Sequence, residues 1–367
     1  MTAERTPISV HLENFAPAGR PGPGVHDGHR RAAVPGLSDL ECSVGVMAYN
    51  EEANIAHVLH SILHQKLTAK RVAEIIVVAS GCEDRTASIV AEIASREPCV
   101  RLIVQPRREG KASAVNLFIN AAQCPVLVLV SADVIAEDDA FDALLRHFDD
   151  SAVGMTGGHA TPVNGNATFL GHAVCLQWHL HDHIARKSPK LGEMVAFRNV
   201  IPSIPLDTTV DELFIQALIS KLGYRVVYEP QAVVYNLGPA TMQDFLSQRR
   251  RIHAGHLRVR AEQAYSASTL SAWRAGRALL ASGASFSSLR TTWWSIGTVV
   301  LEAMARALGR YDIIRGRRPP GVWKIARSTK RNVAEAMNNG VRDDFRGDLE
   351  FAEPRLEHGG ISPRTSG

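Results

Sequence analysis

From residue 43 onward, apolar runs of strand length alternate with stretches of helical period. SVGVMAY (43–49) is the first β-type run. NEEANIAHVLHSILHQ follows, with Asn50 placed to cap a helix that carries Ile55, Val58, Leu59 and Ile62 on one face. EIIVVA (74–79) is a continuous apolar strand, and EDRTASIVAEIA opens a second helix. RLIVQ (101–105) is the third strand, KASAVNLFINAA the third helix, and PVLVLVSAD a fourth strand that stops at Asp133. This alternation predicts an α/β fold with a mostly parallel sheet flanked by helices. Such sheets bind ligands at the carboxyl ends of their strands. Asn50, the Ser80–Asp84 loop and Asp133 all fall there.

Beyond residue 150 the pattern is less regular. GMTGGHATPVN gives no clear period, and QWHLHDHIARKSP is rich in Trp and His. His179 and His183 stand one helical turn apart, but no third ligand follows at a suitable spacing. A core or acceptor-pocket role is the better expectation than zinc. VDELFIQALISKLGYRVVYEP reads as an acidic helix start, a helix, a stop at Gly223 and a short strand. Residues 269–310 read as helical. Their uncharged run TTWWSIGTVVL is 11 residues long and ends at Glu302, short of the ~20 needed to span a membrane. The expected organisation is a disordered Pro/Gly-rich tail over 1–40, a globular domain over 41–240, a basic helical segment over 241–345 and a flexible tail over 346–367.

Charge sharpens that division. Residues 241–340 hold 17 Lys and Arg against 5 Asp and Glu, while the rest of the chain carries −8. Four of the five tryptophans (Trp273, Trp293, Trp294, Trp323) lie in this basic segment. Cationic charge with amphipathic aromatics suits an anionic membrane surface or a phosphate-bearing substrate; a solvated basic face is the plainer alternative. The five cysteines form no C-x-x-C pair, which suggests neither a disulfide framework nor a zinc site. Residues 1–40 lack the apolar stretch of a signal peptide, so the expected location is cytoplasmic. MAYNEEAN has no glycine for a dinucleotide loop, and REGKAS is not a Walker A sequence.

Six segments, taken in order over residues 41–256, resemble the family 2 glycosyltransferases, inverting enzymes with the GT-A, Rossmann-like fold. VGVMAYNEEANI is similar to the family's opening strand and Y-N-E turn, and IIVVASGCEDRT to its V-V-D-S-x-S-x-D-x-T segment. RREGKASAVN resembles R-x-G-K-x-x-A-x-N, and LVSAD stands in the place of the D-x-D motif. VDELFIQALISKLGY is similar to the acidic T-E-D element, and QRRRI to Q-x-x-R-W. Three positions depart from the pattern. Ala79 replaces an Asp, Ser131 replaces the first Asp of D-x-D, and Ile252 replaces the Trp. The first two leave the nucleotide open. The third, with no multiple spans, speaks against a processive polymerase.

The resemblance implies a nucleotide-sugar donor and a divalent cation, Mg²⁺ or Mn²⁺, held at Asp133. It implies donor contacts from Ala48, Tyr49, Asn50 and Glu52, from Ser80 and Asp84, and from Arg108 and Lys111. Further contacts are implied from Ser131 and Ala132, and from Gln248, Arg250 and Arg251. It places the general base at Asp211 or Glu212, with Glu212 aligned by counting back from Gly223. The expected activity is inverting, single-sugar transfer from a UDP- or GDP-sugar to a glycan or lipid-linked acceptor. It would act at the cytoplasmic face of the plasma membrane, with peripheral contact to anionic lipid and no nucleic acid. Two alternatives stand beside it: a non-enzyme reading, a pseudo-glycosyltransferase acting as a binding subunit, and within enzymes a sugar-phosphate nucleotidyltransferase.

Overall fold

The computed structural model describes residues 40–281, 288–317, 322 and 327–338. The tails expected over 1–40 and 346–367 therefore lie outside the described residues, save Leu40, and so does Trp323. The element order is β1 (Leu40–Ala48), α1 (Ile55–Leu63), β2 (Lys70–Ser80), α2 (Thr86–Ala94), β3 (Val100–Gln105), α3 (Lys111–Ala121) and β4 (Val126–Ser131). Then come β5 (Val134–Ala136), α4 (Ala140–Leu145), β6 (Val153–Pro162), α5 (Phe169–Ala185), β7 (Met194–Arg198), α6 (Asp211–Lys221) and β8 (Arg225–Asn236). The C-terminal part holds α7 (Met242–Gln263), α8 (Ala272–Ala281), α9 (Leu289–Ile314) and the short α10 (Val333–Ala336).

The strands form one eight-stranded sheet in the order β3-β2-β1-β4-β7-β6-β8-β5. β3, β2, β1 and β4 are mutually parallel, as are β6 and β8. β7 runs antiparallel to β4 and β6, and β5 antiparallel to β8. The fold is the expected GT-A type: a mixed, mostly parallel sheet between helices, with a C-terminal helical segment. Apolar side chains on the two sheet faces pack into separate clusters, one centred on Val44, Leu59 and Phe141, the other on Phe118, Phe197 and Ile215. Buried on both faces, the central strands are continuous apolar runs.

Register brings the strand ends together. Met47 pairs with Ser131, and Ala48 with Ala79, so β1, β2 and β4 finish at one level. The sheet order reverses about β1, which opens a crevice outside those ends. Two expectations need correction, and one segment given no element is a strand. Asn50 does not cap α1: the helix begins at Ile55 after Asn54, and Asn50 has left-handed backbone (φ 50°). Asn tolerates that region, and its Oδ1 instead accepts from the Glu83 N–H at 2.9 Å. The segment after Gly223 is no short strand but the 12 residues of β8. The aperiodic GMTGGHATP is a full strand, β6. Its glycines are there for closeness: a Cβ on Gly158 would lie 2.4 Å from the Ala232 carbonyl oxygen, and one on Gly157 2.7 Å from Leu191.

Candidate active site

A cleft of about 1680 Å³ opens at the carboxyl ends of β1, β2 and β4 and runs beneath α5, α7, α8 and α9. Of the residues singled out in the sequence, Ala48, Tyr49, Ser80, Arg108, Lys111, Ser131, Ala132, Asp133, Asp211, Glu212, Gln248, Arg250 and Arg251 all line it. Asn50, Glu52 and Asp84 do not. They clasp the β1–α1 turn to the β2–α2 turn: the Glu52 N–H donates to Asp84 Oδ2 (3.1 Å) and the Arg85 N–H to Glu52 Oε2 (3.2 Å). Asp84 also accepts from the Thr86 N–H at 3.0 Å. These bonds hold the shape of the cleft wall from behind.

Asp133 occupies the turn between β4 and β5. That turn is fixed because the Ser131 N–H donates to the Glu193 carbonyl oxygen at 3.0 Å. Two more carboxylates gather near Asp133, and neither was singled out in the sequence. Glu51 is 5% exposed. Burial first, and then the Asp133 charge, push its pKa up to about 8 against the opposing pull of Lys330. Glu193 has left-handed backbone (φ 60°), a conformation that costs energy for a non-glycine residue. Its pKa is raised by burial and by the neighbouring Asp133 and Glu212 charges.

The acidic start of α6 forms the opposite side. Lys111 Nζ lies 2.5 Å from Glu212 Oε1 and 3.3 Å from Asp211 Oδ2. Burial opposes the Lys111 charge, but the two carboxylates outweigh it and raise its pKa. The pair is split by environment. Burial pushes Asp211 up, and its Oδ1 has no hydrogen-bond partner. Burial also acts on Glu212, but Lys111 and the helix-start backbone hold it well below the usual carboxylate range. The Asp211 side chain is 2% exposed and that of Glu212 18%, so Glu212 is the one open to the cleft.

The basic motif on α7 is divided among three partners. Arg251 donates to the Thr209 carbonyl at 3.0 Å, just before α6. Arg249 pairs with Glu302 (2.8 and 3.0 Å) and Arg250 with Asp312 (2.5 Å twice), both on α9. Deeper in the cleft, burial and then Lys190 push the pKa of His181 down to about 3, so its imidazole is neutral. Asp182 instead points away, accepting from the Tyr228 hydroxyl at 2.8 Å.

Sequence reasoning also missed Lys330. It lies 279 residues beyond Glu51, yet its ammonium contacts the Glu51 carboxylate and donates to the Tyr49 carbonyl at 3.2 Å. The segment that carries it is anchored on both sides. Ser328 Oγ donates to Asp244 Oδ2 (2.6 Å), and the Val333 N–H donates to Asn54 Oδ1 (3.0 Å). No sequence spacing signals such a contact. Only the general excess of Lys and Arg after residue 240 pointed towards it.

Among the described residues no group of three or more His, Cys, Asp or Glu side chains could hold a metal ion. Asp133 fits a cation only as one ligand among others supplied from outside the protein.

The family model "Glycosyl transferase family 2" matches residues 43–198. The chain is 26% identical over 235 residues to the poly-beta-1,6-N-acetyl-D-glucosamine synthase of Staphylococcus aureus, covering 60% of this chain and 56% of that protein. It is 23% identical over 240 residues to the synthase of the same name from Staphylococcus epidermidis, covering 61% and 55%. The chain thus spans a little over half the length of these curated relatives. Among solved structures, it resembles the mannosyltransferase PcManGT from Pyrobaculum calidifontis, in complex with GDP-Man and Mn²⁺. That likeness has a TM-score of 0.51 and 21% identity, and covers 75% of this chain and 85% of the other. It shows the same fold.

Proposed function

Residues 43–198 are a glycosyl transferase family 2 domain, and from that premise we propose that the protein moves a sugar from a UDP- or GDP-sugar to an acceptor hydroxyl with inversion. The acceptor is a glycan or lipid-linked precursor, and a single sugar is transferred without polymerisation. One observation carries the reading. The Lys111–Asp211–Glu212 cluster and Asp133 open into the same cleft, at the strand ends where this fold binds ligands.

The chemistry follows from the side chains. Glu212 is the base: it is ionised, faces the cleft, and takes the acceptor proton as the hydroxyl attacks C1 from the face opposite the diphosphate. Asp211, buried behind it, holds Lys111 in place. Asp133 would hold a Mg²⁺ or Mn²⁺ ion together with the donor's phosphate oxygens. That cation, when bound, offsets the charge developing on the leaving diphosphate. Lys330 and Arg108 supply further positive charge at the β1 side, and Arg251 does so at the α7 side, where Gln248 adds a neutral amide donor. The Tyr49 ring, with the Arg108 guanidinium 4.1 Å from its centroid, offers a surface for the nucleobase.

The Staphylococcus relatives are named as polymer synthases. Ile252, in place of the family's Trp, is the feature that argues here for single transfer. The reaction is placed at the cytoplasmic face of the plasma membrane, in cell-surface glycan or glycolipid synthesis. A pseudo-glycosyltransferase would bind donor without turning it over; Ser131 and Ala79 are the positions that favour it.

A melting-temperature screen of UDP- and GDP-sugars, with Mn²⁺ and with chelator, tests the reading. A true donor at 100 times its Kd should stabilise the fold by about 2.7 kcal/mol. That gain should shrink in chelator. No shift with any sugar nucleotide would contradict the proposal.

A further inference from the structure

The helix α9 is amphipathic in the reverse sense for a surface helix. Its inward side carries mostly small and polar residues, with Leu301 and Trp294 as the large side chains packed on α5 and α7. Ser295, Thr298, Ala305 and Gly309 are buried, and Glu302 and Asp312 are taken up by Arg249 and Arg250. The close approach is real: a Cβ on Gly309 would lie 2.7 Å from the Arg250 carbonyl oxygen, and one on Gly297 2.9 Å from Phe169. The outward side carries the large apolar side chains. Leu289, Trp293, Ile296, Val300, Met304 and Leu308 recur every three or four residues and are 36–83% exposed. Ile314 (74%) extends the stripe, and on α8 Trp273 (73%) and Leu280 (78%) are likewise exposed. Most of the exposed large apolar side chains among the described residues lie on these two helices. A helix facing water turns its apolar stripe to the core, whereas this one turns it away. A row of exposed large apolar side chains along one helix face marks an interaction site.

The charges around the stripe choose the occupant. The exposed charged residues of α8 and α9 are Arg274, Arg277, Arg290 and Arg310, followed by Arg315 in the turn after α9, while Arg317 lines the cleft. Both acids of α9 are half-buried in their ion pairs with α7. Arg277 lies 5.8 Å from the Trp273 ring centroid and Arg315 5.0 Å from that of Tyr311, pairings of apolar body and cationic head. No helix among the described residues is long and apolar enough to cross a membrane. An apolar stripe with tryptophans and an all-cationic border suits a helix lying in the plane of an anionic bilayer.

We infer that the outward faces of α8 and α9 dock onto an anionic lipid bilayer and hold the cleft against it. The same two helices wall the cleft, through Ala275, Leu279, Val299 and Ala303. An acceptor with a lipid anchor would then reach Glu212 without leaving the membrane. This rests on the glycosyltransferase reading for the acceptor, but the docking itself does not.

The test is co-sedimentation of the full chain with vesicles of phosphatidylcholine alone or mixed with phosphatidylglycerol. The wild type should sediment with the anionic vesicles and weakly with neutral ones. Binding should fall when salt is raised from 0.1 to 1 M and the Debye length shrinks from about 10 to about 3 Å. The triple variant Trp293→Ser, Val300→Ser, Ile314→Ser should bind anionic vesicles at least about tenfold more weakly, since partition scales with buried apolar area. Its melting temperature and its shift with sugar nucleotide should match wild type, because these side chains touch neither core nor cleft. Equal binding by the variant, or no binding of wild type to either vesicle, would overturn the inference. A wild-type dimer that becomes monomeric in the variant and does not bind vesicles would assign the face to a second copy instead. Loss of the donor shift in the wild type alone would count against the glycosyltransferase reading and leave docking standing.

Discussion

At the scale of single residues, the cleft is defined by carboxylates held in different environments by different partners. Glu51 is buried beside Asp133, and the Lys330 ammonium offsets part of that repulsion. If Lys330 meets the donor diphosphate, replacing it with Met should lower donor affinity about ten- to hundredfold, the worth of a charged hydrogen bond of roughly 1.5–3 kcal/mol. Lys330→Arg should retain most of that affinity. Calorimetric titration of the two variants, each with a melting curve, measures this. A Lys330→Met protein with unchanged affinity and a lowered melting temperature would make the residue an anchor of its segment only. The sequence made Asp133, Lys111 and Glu212 legible, because each sits in a short motif at a strand or helix end. Glu51 stood inside a quoted motif but was passed over for its neighbours. Lys330 and Glu193 were illegible. One acts across 279 residues, and the other is set by a left-handed backbone that no pattern announces.

At the scale of elements, α9 is fastened to α7 by buried polar contacts, beside a small apolar one where Leu301 packs on the cluster that holds Phe245. Glu302 accepts from Arg249 and Arg306 on one side and from Gln177 on the other, so it joins α5, α7 and α9. Burial opposes its charge, but the two arginines hold its pKa down at about 2, against an ordinary 4.5. The native state therefore binds fewer protons than the unfolded chain between those values. The stabilisation is complete above pH 4.5 and is lost as pH falls through about 2. Glu302→Gln should lower stability by about 3 kcal/mol at pH 7, since it leaves buried arginines uncompensated, and by much less near pH 3. Denaturant unfolding at the two pH values checks this; an equal loss at both would remove the charge argument. The first four strands and three helices were readable because both periods are clean there. β6 was not, since glycines needed for close approach to Leu191 and Ala232 erase its alternation. The limits of α8 and α9 were blurred because α9 is apolar outward and small inward, the reverse of the pattern that reveals a helix.

At the scale of the whole molecule, the sheet brings the ends of β1, β2 and β4 to one level, and the C-terminal helices roof them. The basic segment is thus not an appendage: α7, α8 and α9 all line the cleft. Its charge serves two surfaces, arginines facing the cleft and arginines bordering the apolar stripe. The central claim is that Glu212 is the base of a sugar transfer in this cleft. The most direct measurement is nucleoside diphosphate release by wild type and by Glu212→Gln, using the sugar nucleotide with the largest melting shift and a total lipid extract as acceptor. Loss of a general base costs about 10²–10⁴-fold in rate. The rate of Glu212→Gln should fall by that amount, with donor affinity and melting temperature kept near wild type. A Glu212→Gln protein that turns over at the wild-type rate would contradict that role for Glu212.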